Sequence, residues 1–458
     1  MINMKKRLLL INPSSKFSGT SPPLGLLYIA SSVKKEIAGF KIKLVDFSLD
    51  ALNIENEIKM FKPDFVGISA CSCEISFSKK IAKKIKQIDS KVIIIIGGPH
   101  VSATKSEILN DINFDFAVVG EGELSFSKLL KCLLNKEDIG KVKGIIYRNS
   151  KKIVENEPQE LIEDLDKMPF PAWDIIDISK YNNFHNFNGM LKKKLYMPIL
   201  TSRGCPCNCS FCYRVLGQRF RARSPENVLK EIKELHEKYG VNEFHIIDQI
   251  FNFDLKRSKK ICDLIIQYNQ HLAFSFPSGL KADIMDAELV DKLKAAGTYK
   301  INYSPESASS RVRDILNKKI NFEKTNEIIN LTSEKGIITF GYFMIGNPTE
   351  TKKEIMETID YAANSRLDLA RFFFCTPEPG TELYKKYKEE FYDNCFMTVP
   401  HTCNKLTGKE MEELYKTALL RFYTRPRRIL RLLCIYKFGI FKKIFDMYQI
   451  IVNEERFI

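Results

Sequence analysis

The chain has 458 residues, too many for one ordinary core, so two or three domains are expected. It is 44% hydrophobic and 28% charged, which fits a folded globular protein and excludes a mostly disordered one. The net charge of +15 sits largely on Lys-rich helix faces such as Lys79-Lys80 and Lys83-Lys84, a solvated pattern that argues against a nucleic-acid partner.

The first apolar run, 8–11, stops at Asn12-Pro13 and is too short for a signal peptide. No stretch has the roughly 18–20 apolar residues of a membrane-spanning helix. A cytoplasmic location is therefore expected. Through the first 135 residues, apolar strands at 8–12, 42–47, 65–70, 92–98 and 116–120 alternate with amphipathic stretches at 24–35, 54–61, 75–88 and 105–110. This predicts βαβ units and an α/β domain over 1–140, a doubly wound, flavodoxin-like parallel sheet of five strands. Several strands end in small or polar residues, as expected where ligands sit at the carboxyl edge of such a sheet.

Residues 141–195 are polar, with Pro158, Pro169, Pro171 and the chain's one tryptophan, Trp173. They read as a linker holding a short hairpin at 144–148 and 151–154. A second α/β run has strands at 198–202, 243–247, 273–277, 300–304, 339–345 and 370–375, with helices such as 225–239 and 288–296 between them. Six units fall short of the eight in a closed barrel, so a partial (β/α)6 barrel is predicted over 196–395. A helical tail, 396–458, follows. From 417 to 443 it carries eight Lys or Arg and no acid, interleaved with Leu, Ile, Phe and Tyr, and reads as basic amphipathic helices. A peripheral membrane patch, a cover over an apolar substrate and simple packing on the barrel are three roles open to it.

Twelve cysteines in a cytoplasmic chain are expected to be thiols or metal ligands rather than disulfides. Four of them lie within eight residues just after the first barrel strand, in Thr201-Ser202-Arg203-Gly204-Cys205-Pro206-Cys207-Asn208-Cys209-Ser210-Phe211-Cys212. The run contains a C-x3-C-x2-C spacing. Thiolates are the soft ligands that iron–sulfur clusters select, and three of them on a four-iron cluster leave one iron open. Zinc suits the run less well, because it takes paired C-x2-C knuckles or histidine partners.

This loop resembles that of the radical S-adenosylmethionine (SAM) superfamily, which has the same spacing and an aromatic before the last cysteine, here Phe211. The resemblance implies that Cys205, Cys209 and Cys212 hold a 4Fe–4S cluster, with Cys207 a bystander. It implies that the open iron binds SAM, whose reductive cleavage yields a 5′-deoxyadenosyl radical. In Ile247-Asp248-Gln249-Ile250-Phe251 the family often has Asp-Asp-x-Phe, which makes Asp248 a SAM contact or else the cap of the following helix; Gln249 departs from the pattern. Glu306, in Ser304-Pro305-Glu306-Ser307, is expected to contact SAM, and Gly346 to let the backbone approach adenine. Glu350 and Thr351 are expected to cap a helix, and the turn from Thr376 to Thr381 to border the substrate side.

Pro22-Pro23-Leu24-Gly25-Leu26, Gly67-Ile68-Ser69, Gly97-Gly98-Pro99-His100 and Gly120-Glu121-Gly122-Glu123 make the first domain similar to the cobalamin-binding domain that precedes many radical SAM enzymes. Cobalamin is thus the expected third cofactor, near Ser69, Gly97, Gly98, Gly120 and Glu121. The Asp-x-His-x-x-Gly run that supplies a cobalt ligand elsewhere is replaced by Asn12-Pro13-Ser14-Ser15. His100 is expected to be a polar loop residue rather than its substitute. Arg421 to Pro426 resembles a motif in relatives of the anaerobic magnesium-protoporphyrin ester cyclase and of hopanoid-modifying enzymes. The family implies methylation of an unactivated carbon in a small-molecule or lipid substrate, with an electron donor such as flavodoxin or ferredoxin. Radical oxidation, cyclisation or rearrangement is the second chemistry. A non-catalytic iron–sulfur or membrane-binding protein, peripheral on the inner membrane face, is the rival from another class.

Overall fold

Several strands in the first part of the chain read as apolar runs, and the computed structural model shows why. It describes residues 6–14, 21–49, 52–150, 152–181, 191–193, 195–388 and 406–436. The chain divides into two units, one of Met1–Cys205 with Arg214–Phe244 and one of Pro206–Tyr213 with His245–Ile458.

In the first unit, strands β1 (Arg7–Asn12), β2 (Lys41–Asp46), β3 (Phe65–Ser69), β4 (Ile93–Gly97), β5 (Phe116–Val118), β6 (Ile145–Asn149) and β7 (Lys152–Glu155) form one sheet in the order β2-β1-β3-β4-β5-β6-β7. The first five pair in parallel. Helices α1 (Leu24–Glu36), α2 (Ile54–Phe61), α3 (Ile75–Ile88), α4 (Pro99–Thr104) and α5 (Gly122–Asn135) connect them. Leu9 and Ile11 of β1 enter a core with Ile58 of α2 and Ile81 and Ile85 of α3. Leu8 and Leu10 enter a second core with Leu26 and Val33 of α1 and Leu129 and Leu130 of α5. Helices on both faces leave no polar side for these strands, hence their unbroken apolar runs.

Two features of this unit differ from the expectation. The sheet has seven strands rather than five. The hairpin placed in the linker is β6–β7, which adds two antiparallel strands beside β5. Ile145 and Ile146 of β6 are fully or nearly buried, and that burial holds the hairpin on the sheet. Helix α5 was not among the expected elements, although Glu123 to Leu134 has the helical period.

The next strands are β8 (Tyr196–Ile199), β9 (Ser202–Arg203), β10 (Arg221–Ala222), β11 (Glu243–Ile246), β12 (Ala273–Phe276), β13 (Thr298–Glu306), β14 (Ile338–Ile345) and β15 (Leu369–Phe374). Six of them form a second sheet in the linear order β15-β14-β13-β12-β11-β8, an incomplete barrel as expected, while β9 and β10 form a separate ribbon. Helices α6 (Pro225–Tyr239), α7 (Leu255–Tyr268), α8 (Ala287–Ala295), α9 (Ser310–Ile315), α10 (Phe322–Glu334), α11 (Lys352–Asn364), α12 (Glu382–Tyr387), α13 (Gly408–Tyr423) and α14 (Pro426–Tyr436) complete the described elements. Side-chain caps set most of their starts, among them Asp254 on α7, Asp286 on α8 and Asn321 on α10.

The described part of the tail packs on the barrel. Tyr423 Oη donates to Ala370 O of β15 at 2.8 Å, and Arg428 Nε donates to Leu367 O at 3.0 Å. Leu432 is buried against Leu369. The opposite side of α14 is exposed: Leu430 by 64%, Leu433 by 39% and Ile429 by 38%. The basic stretch 437–445 lies outside the described residues. Among the described residues, no helix is long and apolar enough to cross a membrane.

Candidate active site and cofactor cavity

The cysteine run hangs from the β9–β10 ribbon, in which Arg203 pairs with Arg221 and Ser202 with Ala222. Between them Gly204 has φ +83°, and a Cβ there would lie 2.1 Å from Arg219 O, so only glycine passes this point. The Cys205 N–H donates to Gly217 O at 3.2 Å. In the second unit, Ser210 anchors the rest of the run. Its N–H donates to Leu316 O at 2.8 Å, and its carbonyl accepts from Leu383 N at 2.8 Å. Asn317 Nδ2 donates to Asn208 O at 2.8 Å. Cys205, Cys207 and Cys209 are half-buried and Cys212 is exposed. Among the described residues, no three Cys, His, Asp or Glu side chains gather into a group placed to hold a metal ion. What fits a cluster is the donor set: soft thiols, reachable from solvent, on a run braced at both ends.

Phe211 packs with Val312, Leu316, Met344, Cys375 and Leu383. Beside it stands a residue that the sequence reading missed, Lys318. Its Nζ lies 5.9 Å from the centre of the Phe211 ring and 3.5 Å from Glu306 Oε1. Glu306 ends β13 where the register shifts against β14, and it has φ +63°. That left-handed backbone re-aims the carboxylate at the strand's carboxyl end. Burial pushes the Glu306 carboxyl above its ordinary value, and Lys318 opposes this only in part. Burial works against the charge on Lys318, but Glu306 and the Cys209 and Cys212 thiols hold its pKa above the ordinary value. Burial likewise pushes the Cys209 thiol up, with Lys318 pulling it down. A buried cation and anion held this loosely match a zwitterion, such as the amino-acid head of SAM.

Gly346 has φ +74°, as a turn that only glycine accepts easily. Glu350, expected to be a helix cap, instead ties this turn down. The Asn347 N–H and side-chain amide donate to Glu350 Oε2 at 2.9 and 3.0 Å. Glu350 is fully buried, Oε1 has no partner, and burial pushes its pKa up to about 7. Thr351 is the cap, in a box with Glu354. Asp248 is buried, but it does not cap the next helix: that cap is Asp254, whose Oδ1 accepts from the Arg257 N–H at 3.0 Å. Beside it, Gln249 Oε1 is buried with no partner.

The first unit holds a cavity of about 210 Å³ at the carboxyl edge of its sheet. Ser69, Gly97, Gly98, Gly120 and Glu121 all line it, as does Gly25. A Cβ at Gly25 or Gly120 would meet no protein atom within 4 Å and would project into open space. Gly98, at φ +101°, has no such room, since a Cβ would lie 2.7 Å from Ala70 N. A cradle of bare backbone fits a cofactor that must come close to the main chain. Pockets that enclose a whole drug-sized ligand run to about 300–1,000 Å³. This one has room for part of a molecule as large as cobalamin, not for the whole.

Two ionisable side chains of this domain have partners outside the cavity. Glu121 lines the cavity, but its carboxylate is engaged elsewhere, accepting from Arg221, Arg203 and the Ile162 N–H. Burial alone would raise its pKa; those donors outweigh it and hold Glu121 below the ordinary value. The carboxylate braces the ribbon, while the residue remains part of the cavity wall. His100 Nδ1 lies 3.1 Å from Ser72 Oγ, and burial keeps its pKa low. It is not among the cavity's lining residues, consistent with a polar loop role.

Comparison with known proteins agrees with this geometry. The B12 binding domain model matches residues 14–130 and the Radical SAM superfamily model residues 199–362. An uncharacterized methyltransferase of Pyrococcus horikoshii is 30% identical over 430 residues, covering 90% of each chain. The cytidylyl-2-hydroxyethylphosphonate methyltransferase of Streptomyces wedmorensis is 28% identical over 442 residues, covering 83% of this chain and 81% of the relative. The anaerobic magnesium-protoporphyrin IX monomethyl ester cyclase of Rubrivivax gelatinosus is 26% identical over 84% of this chain and 71% of its own. Among solved structures, the radical SAM methyltransferase TsrM from Kitasatospora setae, with cobalamin and a 4Fe–4S cluster bound, superposes with a TM-score of 0.69. The identity is 18%, over 84% of this chain and 75% of that one. The cofactors of this chain are accordingly a 4Fe–4S cluster, SAM and cobalamin. This chain is an enzyme of the radical SAM superfamily, one of the members that carry a B12-binding domain ahead of the barrel.

Proposed function

We propose that this enzyme is a cobalamin-dependent methyltransferase acting on an unactivated carbon of a small-molecule or lipid substrate. The observation that carries the reading is the pairing of two features on one chain. One is the glycine-lined cavity of the first unit; the other is the buried Glu306–Lys318 pair beside Phe211 in the second. The methyltransferases among its relatives support the same reading.

In this proposal Cys205, Cys209 and Cys212 are the cluster ligands and Cys207 is not. Lys318 takes the carboxylate of SAM and Glu306 its ammonium, each replacing a 3.5 Å contact with a closer charge-assisted bond. Asp248 adds a second polar contact, and Gly346 gives adenine its approach to the backbone. Ser69, Gly97, Gly98 and Gly120 bear on cobalamin through the main chain. When bound, the cluster supplies the electron that cleaves SAM, and cobalamin supplies the transferred methyl group. Residues 1–140 are the cobalamin-binding domain, 141–195 the connection, 196–395 the barrel and 396–458 the basic tail. The enzyme takes an electron donor; a flavodoxin or ferredoxin in the cytoplasm is the proposed one. The exposed Ile429, Leu430 and Leu433, with Arg427 and Arg431 on the same helix, support peripheral contact with an anionic membrane face.

The test is an anaerobic assay of reconstituted enzyme with dithionite, SAM and methylcobalamin, read by mass spectrometry. Formation of 5′-deoxyadenosine and a product heavier by one CH2 unit is expected. A product lighter by two hydrogens would replace methyl transfer with the oxidative chemistry of the cyclase relative. Cys209→Ala should abolish 5′-deoxyadenosine, whereas Cys207→Ala should leave it.

A further inference from the structure

Four charged side chains of the first unit form a buried network. Arg221 grips Glu121 with two nitrogens, Nη1 to Oε2 and Nη2 to Oε1, each at 2.9 Å. Arg203 Nη1 reaches Glu121 Oε1 at 3.1 Å, and its Nη2 reaches Glu123 Oε1 at 2.6 Å. The side chains are between 1% and 8% exposed. Two carboxylates and two guanidiniums leave it neutral, and the planar forks give it a fixed geometry. The Arg203 guanidinium also lies over the Tyr28 ring, 5.1 Å from its centre.

This network joins two places that matter for different cofactors. On one side, Gly120 to Glu123 is a wall of the cavity. On the other, Arg203 and Arg221 are paired residues of the ribbon from which the cysteine run hangs, and Arg203 stands two residues before Cys205. Arg221 Nη2 also donates to Leu216 O at 2.7 Å, and Val215 and Leu216 line the same cavity. The limb that returns from the cysteines is thus itself part of the cavity wall. Gly217 O, which accepts from the Cys205 N–H, follows directly.

We infer that Glu121 is a positioning residue that couples occupancy of the cavity to the holding of the iron–sulfur cluster. A ligand in the cavity fixes Val215, Leu216 and the turn bearing Glu121. Glu121 in turn fixes both arginines of the ribbon, and so the place where Cys205 leaves it. Coupling between two sites is reciprocal, so the cluster must favour cobalamin by the factor by which cobalamin favours the cluster. The inference rests on the assignment of the cavity to cobalamin, and its test needs neither SAM nor substrate.

The experiment is a spectroscopic titration of full-length protein with hydroxocobalamin under anaerobic conditions, once with the cluster reconstituted and once without it. Tighter binding to the cluster-loaded form, by at least about fivefold, is expected. Glu121→Gln keeps the shape but removes the charge that both arginines share. It should bind cobalamin with equal affinity in the two forms. Equal affinities in the wild type would overturn the coupling while leaving the cavity assignment intact. No uptake of cobalamin by either form would overturn both. Should Glu121→Gln weaken both forms by the same factor and keep their ratio, Glu121 is merely structural and its positioning role fails. The wild-type comparison decides the coupling even where the variant does not fold.

Discussion

Lys318 illustrates how far a single buried charge depends on its neighbours. Removing its ammonium would leave Glu306 buried at 8% exposure without its cation. Lys318→Met keeps the stem and loses the charge. It should weaken equilibrium binding of SAM to reconstituted enzyme by roughly 10- to 100-fold, the worth of one charge-assisted bond, while iron content stays at the wild-type level. Lys318→Arg should recover part of the loss. Glu350 allows a test by pH. Burial lifts it from 4.5 to about 7, so between those values the folded chain keeps a proton that the unfolded chain has released. Stability attributable to this group therefore falls as pH rises through that window and is level above it. Glu350→Gln should gain on the wild type across the window, by up to about 3 kcal/mol, in denaturant unfolding on either side of it. A constant gap would remove Glu350 from the buried carboxylates. At this scale the cysteines were legible because their spacing is local. Lys318 was not, since a Lys-Lys doublet after a helix looks like any solvated surface. Glu121 stood out in Gly-Glu-Gly-Glu, but Arg203 and Arg221, 82 and 100 residues later, were invisible as its partners.

Among the elements, the β9–β10 ribbon is the most demanding of its sequence. Gly204→Ala would set a Cβ against a backbone oxygen that has no rotamer to yield, in a left-handed conformation that costs a non-glycine residue about 1–3 kcal/mol. Iron bound per chain after reconstitution should fall severalfold, with cobalamin uptake by the cluster-free protein retained. Full iron loading in that variant would show that the ribbon is not what places Cys205. The parallel strands were readable to within about two residues, because helices on both faces force continuous apolar runs. The β6–β7 hairpin was assigned to a linker for the opposite reason. Two antiparallel strands at the edge of a parallel sheet are short and half polar, and nothing local marks their partner as β5. The bulge that turns Glu306 is equally silent in sequence, since a register shift belongs to two strands rather than one.

For the molecule as a whole, the proposed membrane contact would draw on the net charge of +15 and the outward apolar side of α14 together. Flotation with vesicles rich in anionic lipid should carry the protein, and added salt or Leu430→Glu with Leu433→Glu should release it. Recovery in the pellet with the wild type at low salt would leave α14 as packing alone. A different consequence follows from the seven-stranded sheet. Until residues 145–155 have left the ribosome, the three-residue β5 ends the sheet with an open row of N–H and C=O groups. Such an edge recruits other chains; the hairpin covers β5 and leaves as the edge the short β7, which carries Lys152 and Glu155. A fragment cut near residue 140 should therefore precipitate or self-associate, and one carried past residue 155 should stay dispersed. The short hairpin guards the nascent sheet against aggregation.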